Sequence, residues 1–110
     1  MPLFQRARIE IYLPKRGNNV YARLQQAFER EFLQTFGGCT VIRGIKGLYL
    51  DSEGETVVDQ IDLVYADTPF DLDGHFEEVS RYTDALREAA LEAADEESVL
   101  IVVDRIYHSL

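Results

Sequence analysis

The sequence predicts one α+β domain over residues 1–110, with two helices on one face of a four-stranded antiparallel sheet. Two observations favour this class. Four segments alternate or concentrate apolar residues as strands do, and two others carry apolar residues at helical spacing. The order along the chain is β-α-β-β-α-β. Two right-handed βαβ halves joined by a hairpin give a ferredoxin-like sandwich with strand order 4-1-3-2.

The first strand and the first helix follow from residue periodicity. Residues Ala7–Leu13 alternate, and Pro14 is expected to end the strand because proline has no N–H to donate. Asn18 or Asn19 is placed to cap a helix over residues 20–36. The apolar positions of this helix are spaced mostly by three or four residues: Val20, Leu24, Ala27, Phe28, Phe32 and Phe36.

Four of the seven glycines of the chain lie in residues 36–50, just before and within the second strand. Gly37 is expected to end the first helix with a positive φ, and a strand then runs over about Cys39–Leu50. Gly44 and Gly47 interrupt this strand, which predicts a β-bulge on an edge strand. Residues 51–55, DSEGE, form the hairpin turn that follows.

The remaining elements complete the sheet and the helical layer. Residues Thr56–Ala66 alternate as a third strand, and 67–74 form a loop. A second helix ends near 95–97, and the last strand covers Ser98–His108. The buried stripe of the second helix is expected to hold Phe76, Val79, Thr83, Leu86, Ala90 and Ala93.

Composition and charge exclude several classes of protein. The net charge of −9 disfavours binding to nucleic acid, and the longest apolar run, residues 99–103, is too short to span a membrane. Residues 1–50 hold eight basic and three acidic residues, whereas 51–110 hold three and seventeen. A single cysteine and the lack of a signal-peptide pattern predict a cytoplasmic protein.

The sheet face without helices is the main candidate site. We expect it to present Arg8, Glu10 and Tyr12 from the first strand, and Leu100, Val102, Asp104, Ile106 and His108 from the last. The second strand is expected to add Val41, Arg43, Ile45 and Tyr49, and the third Gln60, Asp62 and Val64. Such a mixture of apolar and charged residues is typical of an interface or a ligand floor. The predicted ligand-binding residues are Glu10, Tyr12, Arg43, Asp62, Asp104 and His108.

The loop before the first helix is a second candidate site. It contains Lys15, Arg16, Asn18 and Asn19, which together with the helix N-terminus would attract a phosphate or a carboxylate. An ordinary exposed loop with an asparagine cap explains the same residues.

Two other features are interpreted as structural. Cys39 has no local histidine partner, and a small cysteine in a strand is usually a core residue. Residues 71–78, DLDGHFEE, do not match a calcium loop and fit capping of the second helix better. We therefore predict no metal and no cofactor, since nucleotide-binding and zinc motifs are also missing.

These features favour a homodimeric binding or interaction module that uses the open sheet face as its interface or ligand floor. One alternative is a small acid/base enzyme of the dimeric α+β-barrel kind, which would use the same face. Another is an anion or nucleotide sensor that uses the Lys15–Asn19 loop. The expected partners are a second copy and a small molecule.

Overall fold

The computed structural model describes residues 3–15, 19–94 and 99–109 and has the predicted order of elements. The Asn18 cap and the end of the second helix near 95–97 lie outside these ranges. The elements are β1 (Phe4–Pro14), α1 (Asn19–Phe36), β2 (Thr40–Leu50), β3 (Thr56–Asp67), α2 (Phe76–Ala94) and β4 (Leu100–His108).

The sheet is antiparallel with the order β2-β3-β1-β4, which confirms the predicted 4-1-3-2 arrangement read from the other edge. Strand β1 lies in the centre, between β3 and β4. Strands β2 and β4 are the edges, as the predicted strand order required. Both helices pack on one face, and we call the other face the open face.

The core lies between this sheet and the two helices. Ile9, Ile11 and Leu13 of β1 are buried against Phe28 and Phe32 of α1, as the alternation and the helical spacing predicted. Four residues assigned to the buried stripes are exposed instead: Val20, Ala27, Phe76 and Ala93. Within the described ranges, neither helix is long and apolar enough to cross a membrane.

Strand β2 contains the predicted bulge. The pairing of β2 with β3 shifts between Ile42 and Ile45, and Gly44 has a φ of 71°. Only glycine adopts this conformation without strain. The backbone N–H of Gly44 donates to Asp62 Oδ1 at 3.0 Å, so a side chain from β3 holds the bulge. Gly37 ends α1 with a φ of 81°, as predicted.

Part of the hairpin extends beyond the sheet. Strand β1 pairs with β3 only from Ile61 onward, so the two strands over residues 46–59 pair only with each other. We call these residues the arm. They contribute to the elongated shape of the molecule, which measures 49 × 27 × 23 Å.

Candidate functional site

Three of the residues predicted for the open face lie together on it. Tyr12 Oη donates a hydrogen bond of 2.7 Å to Glu10 Oε2, and the Asp104 carboxyl is a further hydrogen-bond partner of Glu10. The strand register explains this cluster, because Asp104 lies opposite Arg8 and therefore diagonal to Glu10. Among the described residues, nothing covers this face of the sheet.

The surroundings of Glu10 favour its protonated form. Partial burial raises the pKa of the Glu10 carboxyl, and the hydrogen bond and charge of Asp104 raise it further. The hydrogen bond from Tyr12 acts in the opposite direction, and it raises the pKa of Tyr12. A carboxyl group whose neutral form is favoured suits a general acid, or a surface that a partner covers.

Arg8, the basic residue next to this cluster, is already paired with another carboxylate. Arg8 forms a bidentate pair with Asp67, with distances of 2.6 Å from Nε to Oδ1 and 3.2 Å from Nη2 to Oδ2. The guanidinium carbon also lies 4.3 Å from the centre of the Tyr65 ring. These contacts fix Arg8 against the sheet and make it a structural group of the open face.

His108 is on the open face but not in the cluster. It pairs with Phe4 at the far end of the sheet, and the two ring centres are 5.9 Å apart. Six strand residues, or roughly 20 Å, separate this end from Glu10. The prediction that His108 joins the acids is therefore wrong.

Asp62 and Arg43 were assigned to the wrong side of the sheet. Asp62 pairs with Leu13, whose side chain is in the core, so both point toward the helices. The same register places Val41 and Val64 on the helical side. The bulge carries Arg43 to that side too, while Ile45 and Tyr49 share the open face as predicted. From β3 the open face carries Ile61, Leu63 and Tyr65, in place of the predicted Gln60, Asp62 and Val64.

The misplaced residues belong to a pocket at the start of α1. It has a volume of about 310 Å³ and brings Arg43 and Asp62 together with Lys15 and Asn19 of the predicted anion loop. Arg16 and Asn18, the other residues of that prediction, lie outside the described residues. The two candidate sites of the sequence thus contribute to one pocket.

Sequence reasoning missed the residues that α1 contributes to this pocket. Tyr21 and Gln25 are buried there, and Glu29 lies on the wall one turn further along. The signal was present, since Gln25 falls four residues after Tyr21 and three before Phe28, on the buried stripe. A polar residue on an apolar stripe indicates a polar partner nearby.

The remaining candidates have structural surroundings. Burial raises the pKa of the Cys39 thiol, and the charge of Glu29 raises it further, so the thiolate is disfavoured. Asp71 accepts from the backbone N–H of Gly74 at 2.8 Å and lies 3.1 Å from His75 Nδ1, as a capping residue does. Over the described ranges, no three metal-ligating side chains gather into a site.

Comparison with known proteins identifies the fold. No protein-family model and no curated protein matches the sequence. The chain is similar to CutA1 from Oryza sativa, with a TM-score of 0.57 and 19% identity over 94% of this chain and 84% of that one. It is similar to CPII, a nitrogen regulatory PII-like protein from Thiomonas intermedia bound to ADP, AMP and bicarbonate. The TM-score is 0.55, and the identity is 15% over 99% of this chain and 98% of that one. A phage SAM lyase in complex with S-methyl-5'-thioadenosine is also similar. Its TM-score is 0.56, and the identity is 15% over 96% of this chain and 90% of that one. At these identities, the likeness shows a shared fold.

Proposed function

We propose that this protein is a small-ligand-binding module that acts as a homodimer, with the open face as the contact between copies. The observation that carries the proposal is a sheet face with an apolar and partly desolvated surface and no covering layer among the described residues. A face exposed only to water would carry mostly polar residues.

The open face has the size of a specific interface. Its strands are 9 to 12 residues long. Four such strands cover roughly 19 by 30 Å. This is of the same order as the about 800 Å² that each partner contributes to a standard interface. A second copy offers a matching surface, since a two-fold interface uses the same patch on both subunits.

The exposed apolar side chains of the arm also favour contact with a second copy. Tyr49 is exposed on the open side of the arm, and Leu48, Leu50 and Val58 are exposed on its opposite side. An isolated two-stranded hairpin is at best marginally stable in water, so an arm with exposed apolar side chains benefits from a partner surface. A second copy on the open face would lie beside the base of this arm.

The small-ligand part of the proposal is supported by the pocket at the start of α1. Its volume of about 310 Å³ lies within the range of small-molecule sites. Two proteins of similar fold, the PII-like protein and the phage lyase, hold small molecules in their solved structures.

A set of matched leucine substitutions tests the interface. Leu100 on the open face, Leu48 on the arm and Leu33 on the outer side of α1 have similar exposures of 57%, 62% and 53%. We expect light scattering to give a mass of two copies for the unchanged protein. Leu100→Glu should shift it to one copy, because the change buries a charge in the contact. Leu48→Glu should have a smaller effect on the mass than Leu100→Glu, because Leu48 lies on the side of the arm away from the open face.

Leu33→Glu is the control, and it should leave the mass unchanged. A monomeric wild-type protein at tens of micromolar, or equal effects of Leu33→Glu and Leu100→Glu, would contradict the proposed interface. Circular dichroism of each variant separates loss of contact from loss of fold.

A further inference from the structure

The pocket at the start of α1 contains two buried polar side chains with unused hydrogen-bonding capacity. Gln25 is 7% exposed, and its carboxamide makes no hydrogen bond to the described residues. Asp62 is 8% exposed and accepts one hydrogen bond from the Gly44 N–H, but it forms no ion pair within the described ranges. Buried amides are normally hydrogen-bonded and buried charges are normally paired.

These groups open onto the pocket rather than into sealed protein. No fully enclosed side-chain nitrogen or oxygen of the described residues lacks a partner, and both Gln25 and Asp62 line the pocket. A molecule that enters the pocket can therefore supply the missing partners.

The outer part of the pocket carries two cations. Lys15 and Arg43 are exposed, and neither side chain forms an ion pair with the described residues. The backbone holds both in place, because the Lys15 N–H donates to the Gln60 carbonyl at 2.9 Å and Arg43 lies in the β2 bulge. Two such cations suit an anionic group, and arginine suits a carboxylate in particular.

We propose that this pocket binds a small zwitterion of the amino-acid type. Its ammonium group lies on Asp62, and its carboxylate lies between Lys15 and Arg43. Gln25 provides a donor and an acceptor for a further polar group of the ligand. The inference rests on the proposed function, since it names the ligand class of that binding module.

Charge balance separates a zwitterion from a purely anionic ligand. Asp62 and Glu29 both line the pocket, so a phosphate or a dicarboxylate would face two carboxylates as well as two cations. A ligand with one charge of each sign places its positive group by the two carboxylates and its negative group by the two cations. The volume of about 310 Å³ accommodates an amino acid with room for water.

Isothermal titration calorimetry with each proteinogenic amino acid tests the assignment. We expect saturable binding of at least one of them. The analogue that lacks the amino group and the analogue that lacks the carboxylate should each bind roughly tenfold more weakly, because each leaves one charge of the pocket unpaired. Inorganic phosphate and nucleoside phosphates are titrated in parallel.

Two variants locate the binding in this pocket. Asp62→Asn keeps the acceptor for the Gly44 N–H but removes the charge, and Gln25→Leu keeps the volume but removes the amide. Both should weaken binding by roughly tenfold or more. Gln34→Leu, an exposed position on the same helix and outside the pocket, should leave the affinity unchanged. If Gln25→Leu fails to fold, Arg43→Gln replaces it.

The inference is overturned if no amino acid binds at millimolar concentration, if phosphate compounds bind in their place, or if the pocket variants bind normally. Light scattering of the same samples keeps this outcome apart from failure of the proposed function. If the protein is a dimer but binds phosphates, only the assignment of a zwitterionic ligand is contradicted. If the protein is a monomer, the proposed interface on the open face is contradicted.

Discussion

At the scale of single residues, Glu10 shows how a sheet surface can disfavour a charge. The carboxyl is partly buried, lies beside Asp104 and accepts a hydrogen bond from Tyr12. Its pKa is raised, so the neutral form is favoured more in the folded chain than in the unfolded chain. The stability that Glu10 contributes is therefore complete below the ordinary glutamate pKa and is lost as the pH rises through the raised value.

Glu10→Gln is expected to unfold at a higher temperature than the wild-type protein at neutral pH. Glutamine can still accept the hydrogen bond from Tyr12, and it removes the charge beside Asp104. Removing this repulsion between the two carboxylates is expected to add about 0.5 kcal/mol to the free energy of unfolding. For a domain of this size, that corresponds to a rise of roughly 2–4 °C in Tm. Thermal unfolding followed by circular dichroism measures the difference, which should disappear below about pH 4.

Glu55→Gln is the control for this experiment, since Glu55 is an exposed carboxylate in the hairpin turn. Its Tm should follow that of the wild-type protein across the pH range. A Glu10→Gln variant that is less stable than wild type at neutral pH would show that the charge of Glu10 is favourable.

At the scale of elements, the bulge in β2 decides where side chains point. It places Ile42 and Ile45 on the same face although they are three residues apart. The bulge depends on the positive φ of Gly44 and on the hydrogen bond from its N–H to Asp62. It therefore connects the geometry of an edge strand to the pocket at the start of α1.

Gly44→Ala is expected to lower the free energy of unfolding by about 1–2 kcal/mol, because alanine is strained at positive φ. The surroundings do not add a clash, since a Cβ at this position meets no atom within 4 Å. Urea denaturation measures the loss. Gly38→Ala is the matched control, because Gly38 has equally open surroundings without a positive φ. Equal losses in both variants would show that backbone strain at Gly44 is not the cause.

At the scale of the whole molecule, charge opposes the association that we propose. Each copy carries a net charge of −9, so two copies repel each other over long distances. The proposed contact is largely apolar, and salt does not weaken apolar contacts as it weakens ion pairs.

Raising the salt concentration is expected to strengthen the dimer. Between about 0.1 and 1 M NaCl the Debye length falls from about 10 Å to about 3 Å, which screens the repulsion between copies. Sedimentation velocity over a dilution series should give a lower dissociation constant at high salt. A dimer that dissociates at high salt would point instead to a contact between the basic first half of one copy and the acidic second half of another.

The order of the elements, the edge positions of β2 and β4, the Gly37 helix end and the Gly44 bulge were all readable from the sequence. These features depend on local periodicity and on backbone preferences that a few neighbouring residues express. The cluster of Glu10, Tyr12 and Asp104 was readable too, because both of its strands keep regular alternation. Only the tertiary structure decided the face of Asp62, since a shift of one residue in register reverses every side chain of a strand. It also decided that Gln25 and Asp62 line the same pocket, because burial of a polar side chain on α1 depends on strands that are distant in sequence.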